Sequence, residues 1–314
     1  MPVPQPPGRP PTLHPYLDGP HPRAYAHRGW HLGELAGLEN TMAAFSRAVD
    51  EGFAYLELDV HATADGVAVV HHDRVLDRTT DARGPLADRT AAQLDRVRVV
   101  GAHRREPLPH LADVLTALPQ TRVTVELKSA AAVRPVLDVL ARLDAWHRVC
   151  LAGYHEPWLQ AARRLARAQG APLFTSMGHT SVVGLRVRGW TSRRPHREDE
   201  TGGHPPQAPI GYPAPISSPR PVRPPGRTRP GARLGPPVRG DVAQLPHRFA
   251  GVTVVDADVL RVAHGSGREV HVWTVDDPAV MAGLLDAGAD GILTDRPDLL
   301  RDLLRARDHQ GLRP

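Results

Sequence analysis

Glu57 and Asp59 stand two residues apart in an apolar run, and His71-His72-Asp73 follows them across an Asp65-Gly66 pair. Strand alternation puts both carboxylates on one face. Asp-Gly between two such runs predicts a two-residue hairpin turn joining 55–63 to 67–72. That turn pairs Ala64 with Val67 and lands His72 opposite Asp59. Two acids and an imidazole then share a face within about 5 Å. Such a set can hold a cation and move a proton, and a purely structural hairpin has little use for it.

Further chemistry-bearing residues fall at the ends of other β-branched runs. His27-Arg28 closes one, Glu126 and Lys128 close another, and Trp273 lies at the end of a third. Three carboxylates (Glu57, Asp59, Glu126) converging on one place need a cation, since packed like charges otherwise force protonation. An all-oxygen set favours one hard divalent ion, Mg²⁺ or Ca²⁺, over Zn²⁺. His27 and His72 suit acid–base work because imidazole titrates near neutrality. Arg28 and Lys128 are placed to clamp the non-bridging oxygens of a phosphate. Of 39 basic residues 38 are Arg, so the lone Lys128 marks a position that wants a compact ammonium. Together the groups describe a phosphodiester-cleaving site; glycosidase chemistry needs an unneutralised carboxylate pair instead.

The elements that must carry these residues alternate. Strands are expected at 24–27, 55–60, 122–127, 149–153, 173–176, 241–245, 270–274 and 291–294. Helical runs are expected at 41–51, 111–118, 133–143, 158–169, 257–264 and 278–287, with Asn40 or Thr41 capping the first. Eight strand–helix units predict an α/β fold, a TIM (β/α)8 barrel whose site lies at the C-terminal strand ends. The run 67–72 follows too tight a turn for a parallel crossover, so it is expected to return antiparallel as an extra hairpin after strand two. Residues 74–110 read as a small excursion before strand three.

The domain plan is a Pro-rich tail over 1–22, a barrel built from 23–190 and 241–305, an insert over 191–240, and a tail over 306–314. The insert holds 13 of 33 prolines and nine Arg against three acids, with no periodicity, so a passive disordered segment is expected. Without its net charge of +6 the remaining chain carries −1, so the basic sequence pI does not call for a nucleic-acid partner. One cysteine, Cys150, excludes an internal disulfide, and its apolar neighbours predict a buried thiol. No apolar run is long enough for a membrane span, and a soluble, cytoplasmic protein is expected.

The ordered motifs resemble the glycerophosphodiester phosphodiesterase family. They run Ala26-His27-Arg28-Gly29, Leu38-Glu39-Asn40-Thr41, Glu57-Leu58-Asp59-Val60, His71-His72-Asp73, Asp77-Arg78-Thr79-Thr80, Glu126-Leu127-Lys128, Val272-Trp273-Thr274-Val275 and residues 290–297. The resemblance implies a TIM barrel hydrolysing glycerophosphodiesters to sn-glycerol 3-phosphate and an alcohol with a divalent cation. Glu57, Asp59 and Glu126 would hold the metal, and His27 and His72 would be the acid–base pair. Arg28 and Lys128 would contact phosphate, and Trp273 would pack against the glycerol or wall the pocket. Leu38 departs from the family's usual proline at that position. Two other readings stand beside this one. A phospholipase D-like action on lysophospholipids needs an apolar lip that the strand-end loops do not suggest. A catalytically impaired barrel or binding protein would follow if the insert kept the ring from closing.

Overall fold

The computed structural model describes residues 14–191 and 235–311. Its strands, in chain order, open with β1 (Arg23–His27), β2 (Tyr55–Ala62), β3 (Ala68–Val70), β4 (Arg98–Val100) and β5 (Arg105–Pro107). They continue with β6 (Arg122–Leu127), β7 (Val149–Ala152), β8 (Phe174–Thr175) and β9 (Ala243–Pro246). The last are β10 (Arg248–Phe249), β11 (Val252–Thr253), β12 (Val270–Trp273) and β13 (Gly291–Thr294). The eight expected strands pair in the order β8-β7-β6-β2-β1-β13-β12-β9, all parallel. A parallel bridge between Ser176 and Val242 joins the two ends, and the Asp241 N–H donates to the Thr175 carbonyl at 2.7 Å. The ring therefore closes across the junction that the insert threatened.

Alternation explains the two-sided burial of each stave. Leu56, Leu58 and Val60 of β2 face outward onto the helices, while Tyr55, Glu57 and Asp59 face into the barrel. The helices are α1 (Met42–Asp50), α2 (Ala91–Leu94), α3 (Leu111–Ala117), α4 (Val133–Leu143), α5 (Glu156–Ala168), α6 (His179–Thr191), α7 (Ala257–Gly265), α8 (Pro278–Asp286) and α9 (Pro297–Gly311). Thr41 caps α1, its hydroxyl accepting from the Ala44 N–H, which leaves the Asn40 side chain for another task. Inside the barrel Tyr25, Tyr55, Cys150, Phe174, Val242 and Leu293 form a buried cluster. The Cys150 thiol is fully buried, as its neighbours in sequence predict, and burial raises its pKa.

Several boundaries differ from expectation. Residues 14–22 are part of the fold and not a tail: Tyr16 is fully buried, its hydroxyl 2.7 Å from Thr124 Oγ1 and 3.1 Å from the Tyr25 hydroxyl. An aromatic of that burial contributes about 1.5–3 kcal/mol, so this segment closes the barrel floor. The C-terminal tail is likewise helical as far as Gly311 within α9. Thr191 ends α6, and 235–240 pack against the barrel, with the Arg239 N–H donating to Ser181 Oγ at 3.0 Å. The rest of the expected insert, 192–234, lies outside the described residues. Residues 74–110 form the expected excursion and carry their own core of Leu76, Leu86, Leu94, Val97, Val99 and Leu108.

The hairpin after β2 is present, but its register is shifted by one. Val60 pairs with Val70 and Ala62 with Ala68, and the loop is closed by Thr63 and Val67 with three residues between them. Gly66 takes φ +78 while Asp65 stays at negative φ, so the loop is the three-residue kind with a left-handed glycine. His71, and not His72, therefore stands opposite Asp59, its N–H donating to the Asp59 carbonyl at 3.0 Å. His71 is buried against the Val75 carbonyl. The chain bends after Val70, and that bend brings His72 back toward the mouth.

Candidate active site

Register builds the site. His27 pairs laterally with Glu57 across β1 and β2, and Asp59 pairs with Glu126 across β2 and β6. Residues in register on neighbouring strands point to the same face. Four side chains from three adjacent strands thus meet at the C-terminal mouth. Glu57, Asp59 and Glu126 each offer an oxygen within 4.8 Å of the others. His27 Nε2 lies 3.6 Å from Glu57 Oε2.

The acids are buried more deeply than carboxylates tolerate without compensation. Glu57 is 3% exposed and Asp59 fully buried. Lys128 Nζ sits 2.9 Å from Asp59 Oδ1 and 3.0 Å from Glu126 Oε1. Arg28 Nε lies 3.2 Å from Asp59 Oδ2, and Asn40 Nδ2 donates to the same oxygen at 2.7 Å. Burial alone would raise Asp59, but Lys128 and Arg28 outweigh it and hold its carboxyl low. Glu57 goes the other way, pushed up by burial and by neighbouring Asp59. Burial also works against the His27 imidazolium, yet Glu57 and Asp295 outweigh it and raise it to about 9. Both shifts show that this corner retains protons, as a site short of positive charge does.

Glu57 Oε1 is buried and has no hydrogen-bond partner among the described residues. A buried carboxylate oxygen with no donor, between two further acids, suits a hard cation and fits poorly with any neutral filling.

Backbone geometry aims the basic residue of the first motif. Arg28 adopts φ +55 and Gly29 φ +87, turning the chain sharply off β1. A Cβ on Gly29 would come within 2.8 Å of the Ala44 backbone, so α1 packs directly over this turn. The turn sends the Arg28 guanidinium back across the mouth, where Glu39 Oε1 also accepts from it at 3.0 Å.

The structure brings His27, Arg28, Glu57, Asp59, Glu126 and Lys128 together. His72 is close enough for its charge to act on Asp59. Trp273 ends β12 on another side of the mouth, 38% exposed, beside a cavity of about 350 Å³ lined also by Pro246, His247, Arg248 and Thr274. Residues without an assigned role complete the site. His27 Nδ1 is 2.7 Å from Asp295 Oδ1, and His31 Nε2 approaches the same oxygen at 3.2 Å. His72 Nδ1 is 2.6 Å from Asp73 Oδ1. Each imidazole therefore has Nδ1 tied to a carboxylate, leaving Nε2 as its working nitrogen. Asp73, Asp295, Glu39 and Asn40 all lie inside the motifs that carry the family resemblance, Asp73 directly after His72.

The model of the glycerophosphoryl diester phosphodiesterase family matches residues 26–151 and 231–299. All eight site residues fall within those segments. The chain belongs to this family. A curated relative from Mycobacterium tuberculosis, "Probable glycerophosphodiester phosphodiesterase 2", is 36% identical over 90% of this chain and 91% of its own. Among solved structures, a glycerophosphodiester phosphodiesterase from Agrobacterium tumefaciens aligns over 89% of this chain and 99% of its own, with TM-score 0.61 and 22% identity. An Oleispira antarctica phosphodiesterase, in complex with the product sn-glycerol-3-phosphate, aligns over 92% and 97% with TM-score 0.62 and 18% identity. At these identities the structures speak for the shared barrel fold. The family model leaves 152–230 unmatched, the stretch that contains β8, α6 and most of the Pro/Arg-rich segment.

Proposed function

We propose that this member of the glycerophosphodiester phosphodiesterase family hydrolyses glycerophosphodiesters to sn-glycerol 3-phosphate and an alcohol, in the cytoplasm and with one divalent cation. The observation that carries the reading is the pair of imidazoles, each held through Nδ1 by an aspartate, at the rim of a buried three-carboxylate cluster. Glu57, Asp59 and Glu126 would hold Mg²⁺ or Ca²⁺, which when bound would offset negative charge on the phosphoryl oxygens.

The chain's own groups then divide the work. One imidazole takes the proton from the attacking hydroxyl, either the glycerol 2-hydroxyl or water, as its oxygen bonds to phosphorus. The bond from phosphorus to the departing alcohol breaks, and the other imidazole gives its proton to that oxygen. Where the glycerol 2-hydroxyl attacks, this leaves a cyclic glycerol phosphate, and a water then attacks phosphorus, breaking the bond to the 2-oxygen, which takes back a proton to give sn-glycerol 3-phosphate. Arg28 and Lys128, tied to the acids in the metal-free arrangement, turn their remaining donors to the phosphate. The Asp295 and Asp73 carboxylates keep each ring in the tautomer that presents Nε2.

Hydrolysis of glycerophosphocholine by the purified protein, with and without EDTA and with Mg²⁺ or Ca²⁺ restored, tests this reading. Activity should vanish with chelator and return with metal; full turnover in excess EDTA would remove the cation from the proposal.

One observation favours the lysophospholipid reading. Beyond β9 the hairpin of β10 and β11 rises at the mouth next to Trp273, with Phe249 60% and Val252 54% exposed. That is the apolar lip the sequence did not suggest. Lysophosphatidylcholine hydrolysis that falls in Phe249→Ser while glycerophosphocholine turnover holds would favour an acyl-bearing substrate. The impaired-barrel reading has less to stand on, since the ring closes and the acids, imidazoles and cations meet.

A further inference from the structure

His72 and Arg28 reach the site from different segments, one after β3 and one after β1, and neither is held by the barrel alone. Arg78 connects them. Its Nε donates to Asp73 Oδ2 at 2.7 Å and its Nη2 to Asp73 Oδ1 at 3.1 Å. Toward Glu39 it donates from Nη2 at 2.7 Å and from Nη1 at 3.1 Å. Asp73 in turn holds His72 Nδ1, and Glu39 holds Arg28 Nη1 at 3.0 Å. A planar guanidinium can engage two carboxylates in this two-sided fashion; an ammonium cannot.

Stability does not account for the arrangement. Arg78 is 48% exposed, and ion pairs that open to water add little to folding. Geometry does: the chain His72–Asp73–Arg78–Glu39–Arg28–Asp59 is unbroken at hydrogen-bonding or ion-pairing distance. We propose that Arg78 is a positioning residue for the phosphodiesterase reaction, fixing the His72 imidazole and the Arg28 guanidinium relative to each other through Asp73 and Glu39. Its own side-chain bonds go to Asp73 and Glu39. The inference rests on the roles proposed for His72 and Arg28, and it extends them to a residue on the excursion, outside the barrel strands.

The test compares Arg78→Ala, Arg78→Lys, Asp73→Asn, Glu39→Gln and His72→Ala on glycerophosphocholine with saturating Mg²⁺. Arg78→Ala should lower kcat/KM by roughly 10- to 10²-fold, the cost of a misplaced group distant from the chemistry. Its melting temperature should barely move. Asp73→Asn should act on kcat through His72, and Glu39→Gln on KM through Arg28. Either change added to Arg78→Ala should cost less than about 3-fold more, because the three act as one unit. Dilute guanidinium ion should restore part of the Arg78→Ala activity, and Arg78→Lys should fall between wild type and alanine. Wild-type kinetics in Arg78→Ala, alongside a dead His72→Ala, would overturn the clamp and leave the function standing. Losses that track the melting temperature and ignore guanidinium would overturn it as well. An active His72→Ala would bring down the functional reading itself.

Discussion

The barrel has a tight side and a thin side. Where β1, β2 and β6 adjoin, β2 and β6 pair over six residues, and Arg28 after β1 and Lys128 after β6 both tie to Asp59 of β2. Between β8 and β9 the ring rests on the Ser176–Val242 bridge, with β8 two residues long. Chemistry demands placement to fractions of an ångström, and the chain supplies it where the reactive groups sit. On the thin side closure is enough. In the sequence, 192–234 falls between β8 and β9, the two strands that meet at this seam.

If the comparison holds, changes on the tight side should strike rate more than stability. His27→Ala should lower kcat by about 10²- to 10⁴-fold with the fold intact by circular dichroism. Asp295→Asn should cost less, since the imidazole remains but its tautomer is no longer enforced. An active His27→Ala would mean that the tight side is merely well packed.

Two buried carboxylates should make opposite contributions to the pH dependence of stability, which sharpens the contrast. Glu269 ion-pairs with Arg23 at 3.0 Å and lies 3.0 Å from His271. Burial opposes its charge, but His271 and Arg23 outweigh burial and bring its pKa down to about 2. Its contribution is present above the ordinary value of 4.5 and lost as pH falls from there toward 2. Glu57 and His27 titrate upward in the fold, so the folded state holds more protons than the unfolded one. Metal-free stability should therefore decline as pH rises above 4.5 toward 9. Melting curves across pH should show both limbs. Glu57→Gln should flatten the alkaline limb, Glu269→Gln should alter the acid limb, and added Mg²⁺ should lift the alkaline limb by compensating the acids. A flat alkaline limb without metal would remove the argument that this corner lacks positive charge.

The sequence exposes the tight side and hides the thin one, for reasons visible in particular residues. Long alternating runs such as 55–60 and 122–127 are cut to the strand period, and six of the eight site residues follow from reading the ends of the first three barrel strands. The register at Asp65-Gly66 was not legible. A two-residue turn and a three-residue loop share that dipeptide, and only the backbone angle of Asp65 separates them. His72 reaches the mouth because the chain bends after Val70, which alternation does not encode. Helix α6 is not legible because Gly184 and Gly189 break its apolar pattern; a Cβ on Gly184 would collide with the Pro236 carbonyl, while Gly189 lies in ordinary contact with Val259. Tyr16 sits in a proline-rich run that reads as a tail, and nothing local to it announces a barrel floor. Asp73, Asp295 and Glu39 lie inside the motifs, but residue type and spacing give them no chemistry of their own, because their work is to hold a neighbour.

The smallest predicted effect belongs to the seam. Asp241 Oδ2 accepts from the Thr175 N–H at 2.8 Å and from the Thr175 hydroxyl at 3.2 Å, tying the lead into β9 to the end of β8. Gly240 precedes it at φ +102, where a Cβ would meet the Ser176 carbonyl at 2.6 Å, so the backbone there has little room to find another route. Asp241→Ala removes the side-chain tie but leaves the 2.7 Å bond from its own N–H to the Thr175 carbonyl. It should cost about 1–2 kcal/mol, or roughly 2–4 °C in melting temperature per kcal/mol. At a temperature where the variant is fully folded, kcat and KM on glycerophosphocholine should match wild type, because the lost tie joins β8 to the lead into β9 and involves none of the acids, imidazoles or cations of the mouth. A kcat that falls while the protein is folded would mean the seam transmits strain to the mouth, and the division into a tight and a thin side would have to be given up.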